Sequence, residues 1–127
     1  MPTRAEARAE ARRVFEEARV AARKAFKDAS TAASKARKDA LAAARKARND
    51  ALTGAYVKRM AGGGPEADAR KALRNARATA RKAFKDARTA ARKAHKEAVG
   101  RARKARTDAI AAARKARKDA LEAARKL

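Results

Sequence analysis

His95 is the only histidine in this chain of 127 residues, and there is no cysteine. A lone imidazole with no second histidine, thiol or convergent carboxylate supplies neither a metal site nor a proton relay, so His95 reads as a surface or seam residue. The remaining groups capable of acid–base work are 14 Asp and Glu. Asp28, Asp39, Asp50, Asp86, Glu97, Asp108 and Asp119 recur at intervals of eleven residues, which strings them along a helix instead of gathering a pair in one pocket. Gly62-Gly63-Gly64 lacks the preceding strand and the G-K-[ST] ending of a phosphate loop and reads as a turn. No catalytic, cofactor-binding or metal-binding residue is therefore assigned, no cofactor is expected, and the chain is not expected to be an enzyme. Positive charge is what remains. Thirty-seven Lys and Arg give a formal net charge of +23, which makes the surface anion-seeking whatever the fold.

The elements that carry these charges come from an eleven-residue repeat, ARKAxKDAxxA, in two blocks. With Ala11, Ala22, Ala33 and Ala44, then Ala69, Ala80, Ala91, Ala102, Ala113 and Ala124 lettered a in a scheme a to k, the apolar spine falls at a, d and h. Over Ala11–Ala51 and Ala69–Leu127 every spine position is alanine except Val14 and Leu127. The steps average about 3.67 residues per turn, so the stripe runs nearly parallel to the axis of a straight or slightly right-handed helix. Thr3 with Glu6 forms a capping box that starts helix 1, expected over about 4–60. Residues 61–65 read as the turn, with Pro65 and Glu66 opening helix 2 over about 66–127. All 127 residues are expected to form one helical-hairpin domain. Gly54 and Gly100 inside the helices are expected at close contacts or mild bends, and Tyr56, Val57 and Met60 are expected to plug the turn end.

Large apolar residues suggest how the helices pair. Phe15, Phe26, Leu73 and Phe84 occupy e, while Leu41, Leu52, Val99, Ile110 and Leu121 occupy i. Antiparallel matching of residues whose numbers add to 125 sets Phe15 against Ile110, Phe26 against Val99, Leu41 against Phe84 and Leu52 against Leu73. The same register sets Arg19 against Arg106, Ser30 against His95, Arg37 against Arg88 and Arg48 against Arg77. The fold class predicted is all-α, a long antiparallel two-helix hairpin.

Around the helix, k, d, h, a, e and i span nearly half the circumference, wider than one seam requires. The edge formed by e, i and a serves the partner helix. The d/h edge, represented by Ala36 and Ala105, is expected to stay wet in a monomer and to be covered by a second hairpin. A homo-oligomer is expected, with a dimer forming a four-helix bundle favoured. On the outer face, Lys24–Asp28, Lys35–Asp39 and Lys115–Asp119 stand at i,i+4. These pairs run lysine first, so each contributes at most a few tenths of a kcal/mol.

The alanine-rich eleven-residue period resembles that of group 3 late-embryogenesis-abundant proteins. It is also similar to that of the large alanine-rich flounder antifreeze proteins, and that resemblance implies a dimeric four-helix bundle. The Ala/Lys content resembles bacterial histone-like tails. Across the whole chain, GGGPEADARKAL at the turn and ARKARKDALEAARKL at the end resemble a de novo designed helical hairpin. Two function classes follow. One is a structural, self-assembling scaffold. The other is a sequence-independent binder of nucleic acid or another polyanion, with Arg23, Lys24, Arg45, Lys46, Lys82, Arg92, Lys93, Lys104, Arg114 and Lys115 as contacts. Membrane insertion is not expected of an alanine face. A soluble chain without a signal peptide is expected, cytoplasmic or recombinant.

Overall fold

The computed structural model describes residues 1–127 and contains two helices, α1 (Arg4–Ala61) and α2 (Glu66–Arg125), forming an antiparallel hairpin. Both match the expected bounds closely because their ends are written in local chemistry. At the start of α1 the Thr3 N–H donates to the Glu6 carboxylate and the Glu6 N–H donates to Thr3 Oγ1, both at 3.1 Å. This reciprocal box satisfies two of the donors a helix start leaves unpaired. At the far end the Gly62 N–H donates to the Lys58 carbonyl at 3.0 Å, and Gly64 takes a φ of 127°, which a side chain would resist. The Pro65 carbonyl then accepts from Asp68 and Ala69, opening α2. The Glu66 carboxylate accepts from Arg59 at 2.9 Å and Arg70 at 3.3 Å, fastening the turn.

Contacts divide the chain into an end unit, Met1–Ala33 with Glu97–Leu127, and a turn unit, Ser34–Lys96. In the end unit the buried residues are Ala11, Phe15, Ala22, Ala33 and Ala124; in the turn unit they are Leu73, Ala80 and Ala91. All are a or e positions. Phe26, Val99, Ile110 and Leu121 in the end unit, and Leu41, Leu52 and Phe84 in the turn unit, are half-buried. The seam in each unit is therefore a, e and i, as the repeat predicted. Every d position is exposed, Ala36 and Ala105 included.

Three expectations are corrected. Gly54 and Gly100 sit in uninterrupted helix, as expected, but with nothing within 4 Å of where a Cβ would stand, so neither marks a close contact. Tyr56, Val57 and Met60 do not plug the turn; they are 43%, 59% and 88% exposed. Continuing the repeat from Ala55 puts them at b, c and f, which face outward, and phase outweighs their apolar character. The third correction concerns what covers the rings.

Candidate interaction faces

The rings at e are covered by arginines. In the end unit the Arg117 guanidinium lies 4.0 Å from the Phe15 ring centroid, and Arg106 lies 4.0 Å from that of Phe26. In the turn unit Arg48 lies 4.4 Å from the Phe84 ring. In all three cases the arginine stands at e and is seven residues beyond the apolar partner expected from the sequence: Arg117 beyond Ile110, Arg106 beyond Val99, Arg48 beyond Leu41. The register that set Arg106 against Arg19 and Arg48 against Arg77 is not the one formed; Arg77 instead hydrogen-bonds to the Tyr56 hydroxyl and covers its ring. His95 faces Ser34 at 3.4 Å, one turn beyond the expected Ser30. Charge supplies the reason. Matching large apolar residues to each other leaves arginines facing arginines along a seam that already carries excess positive charge. Setting a flat guanidinium over each ring buries its methylene stem, gains a cation–π contact and directs the charge outward.

The repeat also gives the hairpin two unlike faces. In an antiparallel pair meeting at a and e, both helices present d, h and k on one side and i, b and f on the other. In the end unit Val14 and Ala18 of α1 join Ala109, Ala116 and Ala120 of α2 along a groove of about 750 Å³, closed at its end by Leu127. In the turn unit Ala47 and Ala51 join Ala83 and Ala87 along a similar groove of about 570 Å³. Val14 and Leu127, the two spine exceptions, are exposed there at 47% and 52%. This face is open and mostly apolar, interrupted by Arg101 at k and by Lys58 at d.

On the opposite side, every b position except Ser34 and Tyr56 is arginine. Only seven of the 37 Lys and Arg have a carboxylate within 4 Å, and Arg70 is the only b arginine among them. The acids are spent elsewhere. Those at g sit beside k, at the margin of the alanine face, and they engage the c lysines: Lys46–Asp50 at 2.7 Å, Lys104–Asp108 at 2.9 Å and Lys82–Asp86 at 3.4 Å. These are the i,i+4 offset expected, closed at different repeats from Lys24–Asp28, Lys35–Asp39 and Lys115–Asp119. Hydrogen bonds that they donate to Asp50 and Asp108 raise Lys46 and Lys104 above the usual lysine range. Arg13, hydrogen-bonded to Glu10 and Glu17, holds Glu10 below the usual carboxylate range.

The ten expected polyanion contacts are all exposed, but the structure separates them. Arg23, Arg45, Arg92 and Arg114 at b have no acidic partner, whereas Lys46, Lys82 and Lys104 at c do; Lys24, Lys93 and Lys115 share the c row. No three His, Asp or Glu side chains come together in a way that could hold a metal ion, and neither helix is long and apolar enough to cross a membrane. Comparison with protein-family models, with curated proteins and with solved structures found no match.

Proposed function

We propose that this chain is a non-enzymatic structural scaffold, design-like in the uniformity of its caps and phase, that self-assembles through its alanine face. The supporting observation is the exposure of the d alanines and most of the h alanines of both helices on one side, with Val14 and Leu127 beside them. The chain exposes 9891 Å², against roughly 6,600 Å² expected of a folded monomer of its mass. The excess is well beyond the roughly 800 Å² per partner of a standard interface.

A second copy fits this face better than another occupant for two reasons. Alanine on both sides lets helix axes approach at the short end of the 8–10 Å range, where methyl groups interlock without long side chains in the way. Charge also points the association: the g acids flank the alanine face, while the unpaired b arginines point away. Stacking two alanine faces therefore brings the acid-bearing margins together and keeps the uncompensated charges apart. The product is a dimer with a four-helix core, straight or slightly right-handed as the repeat period dictates.

Sedimentation across a salt series tests the proposal. Assembly should strengthen with ionic strength, because screening removes long-range repulsion and leaves apolar burial intact. Assembly that weakens as salt rises would refute it.

A further inference from the structure

We infer that the b/f face, opposite the alanine face, is a binding surface for the phosphate backbone of double-stranded nucleic acid, read without regard to base sequence. Three observations converge. First, charge is sorted by row. Lys46, Lys82 and Lys104 at c pair with g carboxylates four residues on, whereas the b arginines stand unpaired apart from Arg70. Second, residue type is sorted too: b is arginine wherever it is basic, and c is lysine in every repeat except at Arg13 and Val57. A guanidinium grips phosphate oxygens bidentately, whereas an ammonium acts as a point charge. Third, the spacing suits a duplex. One repeat advances about 16.5 Å along the helix. Over that length a duplex carries roughly ten phosphate charges, of which about half face one side. Within either unit two helices offer about three outward b and f cations per repeat, and the ring-stacked e arginines border them.

Other polyanions fit less well. Single strands are held by bases stacking on exposed rings, but Phe15, Phe26 and Phe84 each lie under an arginine and Tyr56 lies under Arg77. An anionic membrane would be gripped more tightly if a row of apolar side chains could enter it, but Leu41, Leu52, Val99 and Ile110 bordering this face are half-buried in the seam, and the exposed Tyr56 and Met60 are confined to the turn end. Fixed base readers are absent as well. Arginines on an open helix face have no neighbour to hold them in one orientation against a base edge.

The test compares two quadruple variants of the full chain with equal net charge. One replaces b arginines (Arg81→Gln, Arg92→Gln, Arg103→Gln, Arg114→Gln), and the other replaces the adjacent c lysines (Lys82→Gln, Lys93→Gln, Lys104→Gln, Lys115→Gln). Gln keeps helix propensity, and circular dichroism verifies the fold. Fluorescence anisotropy reads binding to two unrelated duplexes of about 30 base pairs between about 50 and 200 mM salt. Losing four phosphate contacts should flatten the log–log salt slope by about 3 to 4 and weaken binding at least a hundredfold at about 150 mM salt. The c variant should lose less than about tenfold, because Lys82 and Lys104 already pair with carboxylates and all four lysines stand on the c row, off the b/f face. Equal losses in the two variants would overturn the inference, showing that net charge acts without a face. So would a preference for one duplex sequence, or tighter binding of a single strand or of phosphatidylserine vesicles.

Discussion

If an arginine rather than an apolar residue covers each ring, Phe26 and Arg106 must be energetically coupled. The guanidinium stands 4.0 Å from the ring centroid, and both residues are half-buried. A cation–π contact at such a partly desolvated site contributes about 1 kcal/mol. Phe26→Leu keeps most of the apolar area and removes the ring, at a cost of about 1 kcal/mol. Arg106→Met keeps the stem and removes the cation; its loss is partly offset by relief of repulsion in a chain of net charge +23. The single variants are therefore ambiguous, and the double-mutant cycle is not, since general repulsion cancels in it. The predicted coupling is about 1 kcal/mol, equivalent to roughly 3–5 °C in Tm. Urea is the denaturant of choice because guanidinium would screen the charges being measured. The parallel cycle of Phe26→Leu with Val99→Ala tests the register in which those two face one another. A Phe26–Arg106 coupling below about 0.3 kcal/mol, with strong Phe26–Val99 coupling, would refute the arginine-over-ring seam.

Other consequences are simpler to measure. Gly100→Ala should raise stability by about 0.5–1 kcal/mol by urea unfolding, because a Cβ there meets nothing within 4 Å. Thr3→Ala should remove the bond that Thr3 Oγ1 accepts from the Glu6 N–H at 3.1 Å and speed amide exchange in the first turn of α1, with little change in the global midpoint, since the effect is confined to a helix end. Glu10 and Glu66 are held below their ordinary pKa of 4.5 by hydrogen bonds from Arg13 and from Arg59 and Arg70. Their contribution is complete above 4.5 and disappears as pH falls through the lowered values, so thermal unfolding should show acid destabilisation below about 4.5. Glu10→Gln with Glu66→Gln should shrink that acid-side loss.

Much of the fold is legible because one period carries it. The capping box, the glycine turn and the alanine spine each act locally or by phase, so helix bounds and the a/e/i seam follow directly from residue order. The seam partners did not follow from matching large apolar residues to each other, although the signal is present. Reading e outward from the N-terminus gives Phe15, Phe26, Arg37, Arg48 and Arg59 in α1, and Leu73, Phe84, His95, Arg106 and Arg117 in α2. Run antiparallel, Phe15, Phe26, Leu73 and Phe84 each fall opposite an arginine, and Arg37 falls opposite His95. Counting hydrophobic matches hides this alternation; counting like-charge contacts reveals it. The basic surface was equally half-legible. Composition gives its charge, but only the spatial order of the rows shows that acids engage c at Arg13, Lys46, Lys82 and Lys104 and leave every b arginine but Arg70 free. Tyr56, Val57 and Met60 misled because size suggested burial where phase dictated exposure.

The central claim is that a second copy covers the alanine face, and sedimentation equilibrium of the parent chain beside Ala36→Glu with Ala105→Glu tests it most directly. Both substitutions fall on exposed d positions, keep good helix propensity and lower the net positive charge. Were association governed by overall repulsion, the variant would associate more readily than the parent. Docking of the alanine face predicts the opposite, because a carboxylate buried there without a partner opposes closure. The expected result is a dimeric parent and a helical, monomeric variant at micromolar concentration and moderate salt. A folded parent that sediments as a monomer, or a variant that dimerises as well as the parent does, would contradict the claim.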